Sequence, residues 1–169
     1  MEYLRIGDLL VQRGILKYEQ VLAVLDEQKR SGQPFGVICE RLFDVSPDTI
    51  EEIWASQYIS ITRKVDPTIE TFDPAALELV SRRQAWQFRV LPIRWDGDEL
   101  MVATTAAHVR RALRFATRFL GVPVYLVIAE PHTIGEAMCR HYPLAGMTAA
   151  SVDDGAMDHL LAATRSAVA

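Results

Sequence analysis

The sequence predicts an α+β protein: an N-terminal tandem helical-hairpin subdomain followed by a small α-β-β-α-β-α subdomain. Three observations carry this expectation. Residues 5–28 and 34–57 are two copies of one apolar pattern, offset by 29 positions. Each copy sets its apolar residues at helical spacing on either side of a turn. Beyond residue 72 the period changes, and short strand-like runs at 88–94, 99–104 and 123–129 alternate with helical stretches.

In the first copy Ile6, Leu9, Leu10 and Arg13 share a helical face, and Gly14 closes that short helix. A longer helix over about 18–30 follows, with Val21, Val24, Leu25 and Gln28 on one stripe. In the second copy Phe35, Ile38, Cys39 and Leu42 repeat the short helix. Ser46 then suits an N-cap, with Pro47 at the first helical position and Asp48 near the positive helix end. Ile50, Ile53, Trp54 and Gln57 continue the stripe, so residues 1–59 read as a four-helix subdomain.

Residues 60–72 (SITRKVDPTIETF) read as a connecting segment with extended character. Asp73 caps a helix that begins at Pro74 and runs to about Arg83. The Asp96-Gly97 pair between the strands at 88–94 and 99–104 signals a hairpin. Pro92 moves the first of those strands toward an edge or a bulge. A helix over 107–119 ends at Gly121, a third strand covers 123–129, and a last helix covers about 132–141. Residues 73–142 thus form an α/β subdomain with a three-stranded sheet. The remainder, 143–169, is rich in Ala, Ser, Gly and Asp and reads as a mobile tail with a weak helix near 157–166.

Composition narrows the function classes. With 169 residues, half of them hydrophobic and 24% charged, the chain can bury a sizeable core. A net charge of −4 opposes nucleic-acid binding, and the helical half is itself acidic. The charge is uneven, however. Residues 82–118 hold Arg82, Arg83, Arg89, Arg94, Arg110, Arg111, Arg114 and Arg118 against Asp96, Asp98 and Glu99. That excess fits a solvated helix face, or a surface that steers an anionic partner. Cys39 and Cys139 lie far apart without a disulfide or zinc spacing, which fits a reducing compartment. The opening MEYLRIGD has no signal-like apolar run, and no uninterrupted apolar span reaches bilayer length, so a cytoplasmic protein without membrane insertion is expected.

Catalytic chemistry has no foothold in the sequence. No glycine precedes a lysine, so no phosphate loop of the G-x-x-x-x-G-K-[ST] kind exists. No G-x-S-x-G occurs, and His108, His132, His141 and His159 have no metal-binding spacing. The expectation is a non-enzyme with no catalytic residues, metal ligands or cofactor.

The repeat carries a resemblance. Arg5-Ile6-Gly7, Leu9-Leu10-Val11, Gly14-Ile15-Leu16, Val21, Leu25 and Gln28 follow one spaced pattern, and Lys29–Gln33 separate it from the second copy. This pattern resembles the first half of the MshEN domain family, the N-terminal domain of type II secretion and type IV pilus ATPases. The stretch RVLPIRWDGDELMVAT also looks like that family, and the likeness spans roughly residues 4–142. The second copy departs from the pattern: Pro34 stands where an arginine is expected, Phe43 where a glycine is, and Asp44 where an apolar residue is. Downstream, Thr105-Ala106-Ala107 stands where family members often carry Asp-Pro.

The resemblance implies a non-catalytic bacterial regulatory module that senses cyclic di-GMP, a ligand whose twofold character a duplicated unit suits. It implies ligand-binding residues Arg5, Ile6, Gly7, Gln28, Phe35, Gly36 and Gln57. Arginine can stack on a purine or contact it bidentately. Glycine lets backbone approach a phosphate, and glutamine can bond a base or phosphate. From the residues alone each has a second reading. Gly7 and Gly36 suit close helix packing, Gln28 and Gln57 suit exposed helix ends, Arg5 suits an exposed position, and Phe35 suits a core. The resemblance also implies a partner among secretion, pilus or envelope-machinery proteins. An alternative function follows: a protein-docking module of the same fold that has lost nucleotide binding, with the arginines of 110–118 as its contact face.

Overall fold

The structure, a computed structural model, describes residues 5–153. The chain divides into two compact units, Met1–Ile61 and Thr62–Ala169. The first holds α1 (Ile6–Gln12), α2 (Tyr18–Ser31), α3 (Phe35–Phe43) and α4 (Pro47–Ile61). Its helix starts keep the 29-residue offset, with Ile6 matching Phe35 and Tyr18 matching Pro47. The turns keep it too. Leu16 N–H donates to the Leu10 carbonyl at 3.3 Å, and Val45 N–H donates to the Cys39 carbonyl at 3.4 Å. Ser46 caps α4 as expected, its Oγ accepting from Thr49 N–H at 3.2 Å.

The copies differ where their sequences do. The first reverses direction at Gly14, with φ +68°. In the second, Phe43 stays helical and the left-handed position moves to Asp44, with φ +53°. Aspartate tolerates that region better than most side chains, so a glycine is not required there. As a result α3 spans 9 residues against the 7 of α1.

The core of this unit is the repeat folded onto itself. Leu10, Leu16 and Val24 are buried, and so are their counterparts Cys39, Val45 and Ile53. Full burial of the aliphatic members, all but Cys39, contributes about 1.5–3 kcal/mol each. Besides the contacts within each hairpin, α1 packs on α4 and α2 packs on α3. Exchanging the two copies turns one of these contacts into the other. The tightest points are glycines. A Cβ on Gly7 would lie 2.7 Å from Val21 Cγ1, and one on Gly36 would lie 2.7 Å from Ile50 Cγ2. Val21 and Ile50 are themselves 29 residues apart. The Cys39 thiol is fully buried, and desolvation pushes its pKa up to about 11, its own backbone hydrogen bond opposing and the Glu40 charge adding.

The second unit holds β1 (Lys64–Val65), α5 (Pro74–Leu77), α6 (Arg82–Phe88), β2 (Leu91–Asp96), β3 (Glu99–Thr104), α7 (Val109–Phe115), β4 (Val124–Ala129) and α8 (Pro131–His141). The sheet order is β1-β4-β3-β2. β3 runs parallel to β4 and antiparallel to β2, while β1 pairs parallel with β4 at Lys64–Ile128 and Val65–Ala129. The fold is therefore α+β, but the sheet has four strands where three are expected. β1 comes from the segment expected to be a connection, and two residues are too few for a periodic signal. Gly97, at φ +63°, opens the two-residue turn between Asp96 and Glu99. β2 lies at the sheet edge, and its register shifts between Pro92 and Arg94, the bulge that Pro92 suggests.

Two further differences are local. The helix expected over 73–83 breaks into α5 and α6. Asp73 Oδ1 accepts from Ala75 N–H at 2.9 Å, and Ser81 then opens a new cap. Its Oγ accepts from Gln84 N–H at 3.2 Å while Gln84 Oε1 accepts from Ser81 N–H at 3.0 Å, a reciprocal box that restarts the helix. At the other end, Ala149–Val152 form a 3-10 turn with Ser151 and Val152 buried, so residues 143–153 do not start a free tail. A Cβ on Gly135 of α8 would come within 2.1 Å of the Ala149 carbonyl oxygen, which shows how closely this turn lies on the helix. The helix expected near 157–166 falls outside the described residues.

Three outcomes follow from this packing. Gly7→Ala and Gly36→Ala should each lower stability by about 1–3 kcal/mol, seen as a lower urea midpoint at unchanged slope. Adding Val21→Ala to Gly7→Ala should recover part of that loss; an unshifted midpoint for either single variant would show that the helices do not cross this closely. Gly135→Ala should free the 149–152 turn, read as faster amide exchange there than in β3. Cys39 should resist alkylation at pH 8 until denaturant is added, because burial both shields the thiol and suppresses its thiolate.

Candidate ligand-binding site

The seven residues that the sequence singles out all lie in the first unit. Arg5 is exposed at the start of α1, where its backbone N–H donates to Asp8 Oδ2 at 3.0 Å. Asp8 thus occupies the positive end of its own helix. The corresponding start of α3 has Pro34 as N-cap and no acidic residue in its first turn.

Gly7 is buried and Gly36 is half-buried. The side-chain space beside each is filled by the facing helix, so of their two readings the structure displays close packing. Ile6 and Phe35 are half-buried against the core, and the tip of the Phe35 ring lies 3.7 Å from where a Gly7 Cβ would sit. The starts of α1 and α3 are thereby brought side by side. Gln28 and Gln57 are half-buried in the last turns of α2 and α4, and their carbonyls accept from Gly32 N–H at 2.9 Å and Ser60 Oγ at 2.7 Å. Among the described residues no cluster of His, Cys, Asp and Glu could hold a metal ion, and no helix is long and apolar enough to cross a membrane.

The second unit holds the arginines that the sequence offers either as a solvated helix face or as the contact face of a docking module. An open cleft of about 610 Å³ is lined by Arg89, Arg110, Arg111, Arg114 and Arg118 together with three phenylalanines. Arg89 is not on a solvated face at all; it is 1% exposed. It ends α6 at φ +53°, and its guanidinium donates to the carbonyls of Trp86 at 2.7 Å and Val152 at 3.2 Å. No sequence signal marks it, because an arginine between Phe88 and Val90 reads equally well as the outward residue of a strand. Thr105, in the stretch that departs from the family pattern, is buried with its Oγ1 2.7 Å from His108 Nδ1.

A family model described as the MshEN domain matches residues 59–148, more than half of the chain. The chain belongs to the MshEN domain family. The match falls almost wholly on the α/β unit, and the alignments of this MshEN chain with individual relatives are longer. The type IV pilus assembly ATPase PilB of Myxococcus xanthus is 24% identical over 143 residues, covering 84% of this chain and 25% of that protein. PilB of Thermus thermophilus is 26% identical over 144 residues, covering 83% of this chain and 15% of that protein. The chain therefore spans a quarter or less of these relatives. Among solved structures, MshE with cdg is 26% identical with a TM-score of 0.46, covering 82% of this chain and 99% of that one. The N-terminal domain of XpsE is 22% identical with a TM-score of 0.44, covering 84% of this chain and 99% of that one.

Proposed function

We propose that this MshEN chain is a non-catalytic regulatory module that binds cyclic di-GMP at the paired helix starts of its first unit and works in the cytoplasm beside secretion or pilus machinery. The observation that carries the reading is the repetition itself. Helix starts, turn hydrogen bonds and glycine contacts all recur at an offset of 29 residues, and the helix contacts are preserved when the copies are exchanged. A twofold dinucleotide is the ligand that such a twofold surface matches, and residues 5–28 resemble the family's motif. Arg5 provides the guanidinium for a guanine. Gly7 and Gly36 act indirectly, by letting the helices approach closely enough to set Ile6 and Phe35 at the base of the site.

A docking module without nucleotide is the second reading, and two observations favour it: Pro34 offers no guanidinium, and Val21 and Ile50 fill the space beside both glycines. Calorimetry separates the two. On the nucleotide reading the full chain releases or absorbs heat with cyclic di-GMP, and Arg5→Ala weakens binding at least about tenfold, the loss of one bidentate base contact. No heat and no rise in melting temperature at millimolar ligand would leave the docking reading standing.

A further inference from the structure

We propose that the arginine-lined cleft of the second unit is a docking site for an extended acidic segment of a partner protein, independent of the nucleotide reading. The wall of the cleft is one continuous helical stretch, α7 followed by a π-helical turn over Ala116–Leu120. Arg110, Arg114 and Arg118 recur along it at intervals of four residues, with Arg111 beside them. Within α7, Arg110 and Arg114 at that spacing stand about 5–6 Å apart at Cβ. Carboxylates on one face of an extended strand recur about every 6.5–7 Å. A ladder of guanidinium forks and a ladder of carboxylates are therefore close to commensurate, and arginine forks grip carboxylates bidentately.

Composition points the same way. Among its described lining the five permanent cations are all arginine, with His108 beside them, and the one carboxylate is Asp153. Interface cores favour arginine and aromatic residues over lysine. The cleft has the aromatic component as well. Phe88 and Phe115 stack at 4.6 Å, and Phe119 leans on both at 6.0 and 5.4 Å while staying 56% exposed. An apolar ring left in water beside a row of cations suits a segment that alternates acidic and apolar residues. The buried Arg89 at the floor adds positive potential where the surroundings screen it least.

Arg89, Arg110, Arg111 and Arg114 already have partners within the protein, such as the Gln87 carbonyl that accepts from Arg111 at 3.2 Å. Each guanidinium carries five donors, so an arriving carboxylate adds to or exchanges with these bonds. A peptide fits better than a phosphate ligand. Among the described lining residues there is no glycine to bring backbone N–H groups onto a phosphate, and three of the arginines are spaced along one helical wall.

The test is fluorescence anisotropy of the full chain with a labelled peptide of alternating Glu and Leu. Saturable binding is expected, weakened at least about tenfold by Arg114→Glu and by Arg118→Glu. Phe119→Ser should also weaken it, whereas Arg5→Ala should not. All four positions are exposed, and circular dichroism of each variant is the check that it is folded. Absence of saturable binding, or binding indifferent to both arginine reversals, overturns the proposal. Displacement by inorganic tripolyphosphate at lower concentration than by unlabelled peptide also overturns it, in favour of a phosphate site.

Discussion

The first unit depends on how closely its helices can approach at two points, Gly7 against Val21 and Gly36 against Ile50. Any side chain at either glycine would push the facing helix outward, and the buried residues around it would lose contact with one another. Close packing in protein interiors makes such displacement costly, because a gap of even half an ångström forfeits much of the dispersion attraction. The same constraint occurs twice in equivalent places. It therefore fixes each hairpin and makes the two hairpins alike, and the other shared features are built around it. The turn bonds from Leu16 to Leu10 and from Val45 to Cys39 hold the reversal, and Leu10, Cys39, Val24 and Ile53 are buried in the same core.

In the second unit the comparable role falls to a charged residue. Arg89 adopts a backbone conformation that non-glycine residues seldom take, and it buries its guanidinium in doing so. Its hydrogen bonds to Trp86 and Val152 tie the end of α6 to the 3-10 turn that follows α8. Trp86 reaches the same region, its Nε1 donating to the Tyr142 carbonyl at 2.8 Å, and Tyr142 in turn donates to the Leu77 carbonyl at 2.7 Å. Burial raises the Tyr142 phenol pKa, so it remains a donor. The sheet beside this network ends in a bulged strand on one edge and a two-residue strand on the other, both poor templates for pairing with another chain.

What could be read from the sequence was whatever repeats or caps. The offset of 29 placed the starts of α3 and α4 from those of α1 and α2, and Ser46, Asp73 and Gly97 marked their caps and turn correctly. What could not be read was decided by tertiary partners. Two residues at Lys64–Val65 become a strand because β4 offers an edge, and Ala149–Val152 order because Gly135 leaves room for them. The Ser81 box was present in the sequence as Ser-x-x-Gln, but the apolar run through Leu77 and Val80 masked it. For the site, the spacing identified glycines that matter without saying which neighbour they serve. The structure brings Gly7 and Phe35 together and shows that their first partner is protein.

The departures in the second copy make the two helix starts chemically unequal, and this bears on how a twofold ligand could be held. At α1 the positive helix end is already answered by Asp8, and the chemical asset of that copy is the exposed Arg5 guanidinium. At α3 there is no arginine, but there is also no carboxylate in the first turn and Pro34 takes no N–H, so the first-turn amides are not claimed by an acidic side chain. Helix dipole and orphan N–H groups favour an anion there. On the nucleotide reading the first copy then serves a base and the second a phosphate, and the symmetry of the backbone is kept while the chemistry of the side chains is divided between the halves. The loss of arginine at position 34 would in that case change which atom of the ligand the second copy holds, instead of abolishing its contribution.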